Sequence, residues 1–201
     1  LKIDSSGPSA GKMRAMIEAR KVIWDVVESS AHASIEFGRL GYLEEIDYTV
    51  VDRTKAPVPG FALPYGYAPY SFSTVLAYNS EKFKDNPPRT WTDFWDLKKY
   101  PGKRMLRKQV HGVLDAAVMS TGVAPADVYP IDVAKGFERI RQIKGDCVFW
   151  NSGSESEQIM RQGEAVMGLM WHTRARVLNE ETKGKIDFTF NQGILQPGTY
   201  V

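Results

Sequence analysis

An α/β architecture is predicted by two observations. Strand-like and helix-like segments alternate along the 201 residues, and several of the strand-like ones are continuous apolar runs, as strands covered on both faces require. A third observation concerns function: the residues that follow these runs are polar or aromatic, and open α/β sheets bind ligands beyond their strand ends.

The first strand is expected over Leu1 to Asp4, leading through Ser5-Ser6-Gly7 into a helical pattern from Ala10 to Arg20 that carries Met13, Met16 and Ile17. Val22 to Val27 predicts the second strand, followed by Glu28-Ser29-Ser30. The clearest loop, Asp52 to Gly60, holds Pro57 and Pro59, and Phe61 to Leu63 and Ser73 to Tyr78 predict two further strands.

The block from Tyr78 to Arg104 is specified in most detail. Pro87 and Pro88 fix φ and remove two donors, so the chain stays extended up to Thr90. Thr90 and Asp93 form a capping-box start, after which Trp91, Phe94, Trp95 and Leu97 place bulky apolar groups on nearly one face until Tyr100-Pro101-Gly102 ends the helix.

Arg104 to Leu106, Cys147 to Trp150, Ala165 to Trp171 and Ile186 to Phe190 are the remaining strand expectations. Helical spacing marks His111 to Thr121 and Ile131 to Lys144, and Ser154 with Glu157 has capping-box spacing at the start of a helix reaching Gln162.

Composition excludes several classes. With 26 basic and 24 acidic side chains the net charge is +2, which argues against nucleic acid or an anionic membrane as the main partner. The lone Cys147 excludes an internal disulfide or a CxxC site, and its apolar neighbours read it as a structural thiol. No run of 18 apolar residues occurs. The opening LKIDSSGPSAGK lacks the features of a secretory leader and reads like the interior of a domain, so either a leader was removed or the sequence begins part-way.

Five predicted strand ends carry Ser5-Ser6-Gly7, Glu28-Ser29-Ser30, Arg107-Lys108-Gln109, Asn151-Ser152-Gly153-Ser154 and Trp171-His172-Thr173. Each alone is explained by helix capping, whereas together on one side of a sheet they describe a hydroxyl-rich cleft with tryptophan for a small polar solute. Trp150 and Trp171 are read either as core anchors or as stacking surfaces.

Sharper alternatives fit less well. Gly7-Pro8-Ser9-Ala10-Gly11-Lys12 has a P-loop context, but three residues separate its glycines instead of four and Met13 stands where Ser or Thr would ligate magnesium. His32, His111 and His172 show no metal-ligand spacing, and no GxSxG elbow is present. Neither a metal nor a cofactor is expected. An α/β enzyme, a hydrolase or P-loop transferase, is retained as the alternative to a binding protein.

The block Tyr78-Asn79-Ser80 through Thr90-Trp91-Thr92-Asp93-Phe94-Trp95 to Pro101-Gly102-Lys103-Arg104 resembles the bacterial extracellular solute-binding proteins of the spermidine/putrescine type, which serve ABC importers. Trp24-Asp25-Val26-Val27, Leu43-Glu44-Glu45-Ile46-Asp47 and Gly163-Glu164-Ala165-Val166-Met167-Gly168 are similar as well, so the resemblance covers essentially the whole chain.

The resemblance implies a two-lobed type II periplasmic binding protein, each lobe a mostly parallel sheet flanked by helices and closing on solute by a hinge. Residues 1–76 would form the first lobe, 77–191 the second, and 192–201 a return toward the first. Family members extend further at both ends, so the chain is expected to be a fragment. The implied protein is a periplasmic monomer exported by a signal peptide absent from this sequence, and it delivers its solute to a membrane permease.

The family's first-lobe Ser-x-Tyr pair falls at Ser30 and His32, its stacking tryptophan at Trp171, and its strand-end loop at Asn151 and Ser152. Ser71, Ser73, His111 and His172 complete the candidate ligand contacts together with Arg107. Arg107, Lys108, Gln109 and His111 stand where polyamine binders carry acidic residues, which disfavours a polyamine and favours an anionic or zwitterionic solute. The competing reading leaves Arg107 and Lys108 solvated at the cleft rim.

Overall fold

The computed structural model describes residues 10–201. The expected strand Leu1 to Asp4 and the turn Ser5-Ser6-Gly7 lie outside the described residues. The chain divides into two compact units, one holding the residues up to Phe72 together with Gln196–Val201 and the other Ser73–Leu195, so the backbone passes between them twice.

The first unit contains α1 (Ala10–Glu18), β1 (Glu28–Ser29), α2 (Ala31–Arg39), β2 (Ala62–Leu63), the start of β3 (Gly66–Asn79) and the end of β7 (Ile186–Tyr200). β1 pairs antiparallel with β7, Glu28 opposite Tyr200 and Ser29 opposite Thr199, and β2 pairs antiparallel with β3. Met13, Ala33, Phe37 and Ala68 are buried in this unit.

Two expectations are corrected here. Val22 to Val27 is not a strand; Val22, Ile23 and Val26 are 58%, 74% and 68% exposed. A partner strand arrives only at Val27, whose N–H and C=O bond reciprocally to Val201, so extended pairing begins where the apolar run stops. The strand lies instead at Glu28–Ser29, and Ser30 directly after it caps α2, a helix that was not anticipated.

The second unit is built on one mixed sheet in the order β7-β3-β6-β4-β5, with β4 (Arg104–Arg107), β5 (Cys147–Trp150) and β6 (Met167–Trp171) mutually parallel and β3 antiparallel to β6. Alternate residues of these strands enter two separate cores. Leu76, Leu106, Met167 and Leu169 pack with α3 (Trp91–Trp95), α4 (Val113–Met119) and α5 (Val133–Ile143), while Val75, Ala77, Met105 and Met170 pack with α6 (Gly153–Gln162) and α7 (His172–Glu181). Apolar side chains are needed on both faces, which is why these strands read as unbroken hydrophobic runs.

The helix from Thr90 forms as its capping residues dictate. Thr90 Oγ accepts from the Asp93 N–H at 3.1 Å, and Asp93 accepts from the Thr90 N–H at 3.1 Å and the Arg89 N–H at 2.9 Å. Its two tryptophans dock by their indole N–H groups, Trp91 to the Gln192 carbonyl at 2.9 Å and Trp95 to the Arg139 carbonyl at 3.0 Å. The helix is shorter than its pattern and stops at Trp95, because Asp96 turns the chain by accepting from the Lys98 and Lys99 amides.

Burial alone would raise the Asp93 carboxyl, but hydrogen bonds from Arg89, Lys99 and Thr90 outweigh it and hold the group below its ordinary value. A depressed carboxyl stabilises above its unfolded pKa, and that share is lost as pH falls through the folded value. Thr90→Ala is therefore expected to cost about 1 kcal/mol in urea denaturation. Asp93→Asn should flatten the decline of stability below about pH 4, and an unchanged acid limb would refute the assignment.

Candidate functional site

Strand direction collects the site. β4, β5 and β6 are parallel and end at the same sheet edge, and the second unit's part of β3 begins there, with Thr74 opposite Trp171 and Arg107 opposite Trp150. Ser73, Arg107, Asn151, Ser152, Trp171 and His172 therefore share one end of the sheet.

Arg107 is the centre of this group. Its guanidinium carbon lies 5.0 Å from the Trp171 ring centroid and 5.5 Å from that of Trp150, and the two indoles meet edge-to-face at 5.2 Å and 87°. Trp150 is fully buried and its N–H donates to the Leu169 carbonyl at 3.0 Å, so it is a core anchor; Trp171 is half-buried. Arg107 Nε is buried without a hydrogen-bond partner, and burial lowers the arginine's pKa. A desolvated cation on aromatic faces with an unmatched donor is suited to a planar anion such as a carboxylate.

His172 is the first residue of α7, and its Nδ1 accepts the Ser73 N–H at 3.0 Å. Nδ1 must therefore present a lone pair, which assigns the neutral ring's proton to Nε2 and makes that nitrogen the outward donor. The ring also packs 5.7 Å from Phe190.

Asn151 and Ser152 are exposed, and both serve the start of α6. The Asn151 N–H donates to Glu155 Oε2 at 2.7 Å and Ser152 Oγ accepts from the Glu155 N–H at 3.2 Å. This corrects the expected Ser154 and Glu157 cap by two residues; Glu157 instead pairs with Arg174 at 3.0 Å. A Cβ at Gly153 would sit 2.7 Å from Arg174 Nε and 3.2 Å from the Trp171 ring, so a larger residue there would have to displace Arg174. His111 is exposed in the turn before α4.

Ser30, His32 and Ser71 belong to the first unit. Ser30 Oγ accepts from the Ala33 N–H at 3.1 Å, His32 is exposed with Nε2 3.6 Å from Glu36, and Ser71 is half-buried in β3. Cys147 is half-buried, its Sγ donates to the Ile143 carbonyl, and burial pushes the thiol up to about 11. Among the described residues no group of three or more His, Cys, Asp or Glu side chains is placed to hold a metal ion, and no helix is long and apolar enough to cross a membrane.

The family model for bacterial extracellular solute-binding proteins matches residues 2–201. The chain belongs to that family. This solute-binding protein is 32% identical over 175 residues to the gamma-aminobutyric acid-binding protein of Pseudomonas aeruginosa, a match covering 85% of this chain and 49% of the relative. It thus spans about half the length of that relative. A solved GABA receptor superposes with a TM-score of 0.88 at 32% identity, covering 99% of this chain and 62% of the other. An ABC transporter substrate-binding protein from Bradyrhizobium japonicum USDA 110 superposes with a TM-score of 0.87 at 35% identity, covering 96% and 60%.

Proposed function

We propose that this chain is part of the solute receptor of an ABC importer, capturing a small anionic or zwitterionic carboxylate and delivering it to a membrane permease. The observation that carries the reading is Arg107, desolvated against Trp150 and Trp171 with its Nε unmatched at the sheet end. A carboxylate gains charge-assisted bonds there, while a polyamine is repelled. The gamma-aminobutyric acid-binding relative supports the same class of solute.

In this reading the two compact units are the lobes of a type II binding protein that closes by a hinge, working as a monomer in the periplasm. Ser73, Trp171 and His172 take part beside Arg107, with Ser30, His32 and Ser71 on the first unit and Asn151, Ser152 and His111 at the rim. Binding without turnover replaces the enzyme alternative, in keeping with the family.

Carboxylate solutes added to the purified protein should raise its melting temperature and change its tryptophan fluorescence. Stabilisation by polyamines alone would overturn the charge assignment. Trp171→Ala is expected to weaken capture roughly tenfold and to remove most of the fluorescence response, since it deletes one face of the guanidinium clamp. Undiminished affinity would take Trp171 out of the site.

A further inference from the structure

The sheet end that holds Arg107 carries an aromatic surface for which binding of a carboxylate alone has no use. On β7, Phe188 is half-buried against the core beneath α6 and α7, and Phe190, on the same face of the strand, is 58% exposed. Their rings meet at 5.6 Å and 72°, and Phe190 also packs 5.7 Å from the His172 ring at 51°. His172 in turn follows Trp171, whose ring lies 5.0 Å from the Arg107 guanidinium carbon. All of these residues belong to the second unit.

The backbone beside Phe190 is strained and held. Gln192 has a φ of 57°, left-handed backbone that residues with a side chain rarely adopt. Trp91 keeps it there, its backbone N–H donating to Gln192 Oε1 at 2.8 Å and its indole N–H to the Gln192 carbonyl at 2.9 Å, while Asn191 Nδ2 donates to the Arg89 carbonyl at 2.9 Å. Strain that the surroundings over-determine, next to an exposed ring, is a mark of a binding surface. That surface is uncharged, since His172 accepts the Ser73 N–H through Nδ1 and its imidazole is therefore neutral. Neutral ring faces reward another ring in offset or edge-to-face contact beyond the area buried, and give a second charge nothing to pair with.

We propose that Phe190 and His172 form a ring shelf on the second unit, and that the solute is an aromatic carboxylic acid with a short link between its ring and its acid group. This rests on the reading of Arg107 as the carboxylate partner, and it narrows carboxylates at large to those that carry a planar unsaturated ring.

The test is isothermal titration of the intact protein with 3-phenylpropionate and with 3-cyclohexylpropionate, which has the same acid group and link but a saturated, puckered ring. Wild type should prefer the aromatic acid about fivefold. Phe190→Leu, which keeps an apolar side chain but no ring, should bring the two affinities together, and Phe190→Tyr should restore the preference. Equal affinity of wild type for the two acids, no binding of 3-phenylpropionate, or an undiminished preference in Phe190→Leu overturns the shelf. The carboxylate reading is separately at stake: binding of either acid that survives Arg107→Ala undiminished overturns it, whatever Phe190→Leu does.

Discussion

Arg107→Ala is expected to weaken capture of carboxylate solutes by about a hundredfold or more. Truncating one partner of a desolvated, hydrogen-bonded charge pair typically costs about 2–5 kcal/mol, and each 1.4 kcal/mol is about tenfold in affinity. The guanidinium is lodged against Trp150 and Trp171, so removing it leaves both an uncompensated ligand charge and a hollow between two indoles. Arg107→Lys should recover only part of the loss, since an ammonium keeps the charge but loses the planar fork and the ring stacking. Isothermal titration checks both variants, and the thermal unfolding of the unliganded protein should change little, because the buried Nε of Arg107 has no hydrogen-bond partner to lose. Equal affinity of Arg107→Ala and wild type would sink the anion reading.

Three residues earlier on the same strand, an arginine does the opposite job. Odd spacing turns Arg104 to the other face of β4 from Arg107. There it is fully buried, donating to the carbonyls of Phe94 at 2.5 Å, Gly102 at 2.6 Å, Tyr100 at 2.6 Å and Asp96 at 3.3 Å. Burial pushes its guanidinium down to about 10, which still leaves it charged at neutral pH. These four bonds close the turn after α3, whose five residues could not hold themselves in place. Arg104→Met should destabilise the protein by about 3–5 kcal/mol, because the buried Phe94 and Tyr100 carbonyls and the part-buried Gly102 carbonyl lose a charged donor. Arg104→Lys should rescue less than half, having no fork to reach across four acceptors. Urea denaturation reads the effect directly, and a loss below about 1 kcal/mol would contradict this role. Solute affinity of the folded fraction should be unaffected, which separates the two arginines.

Much of the second unit was legible in the chain because its signals are local or repeat along a strand. The Thr90 and Asp93 box, the apolar runs of β4, β5 and β6, and the spacing of α5 each place their elements within a few residues. Legibility failed where a partner decides. Val22 to Val27 has strand composition but no strand to pair with until Val27, and its apolar groups stay exposed. α7 carries only Ala175 and Leu178 as buried anchors, too few for a periodic pattern, so the helix beginning at His172 was not anticipated. Ser154 and Ser152 offer the same chemistry two residues apart, and only the direction of the chain leaving Trp150 selects Ser152 as the cap.

The candidate site divides in the same way. That Arg107, Trp171 and His172 stand at strand ends was plain from residue order alone, because order along a parallel sheet sets which ends share an edge, whereas the contrast with the acidic residues of polyamine binders came from the family resemblance. That Trp150 became core and Trp171 a stacking face, and that His172 is held by the Ser73 amide, could come only from the tertiary structure. The sequence by itself determined the α/β class, the capped helix of the tryptophan block and the sign of the charge at the strand end, all properties of neighbouring residues. The tertiary structure decided which rings meet the Arg107 guanidinium and which amide holds His172, since those contacts join residues up to 99 positions apart, Ser73 and His172 among them, and no local spacing encodes them.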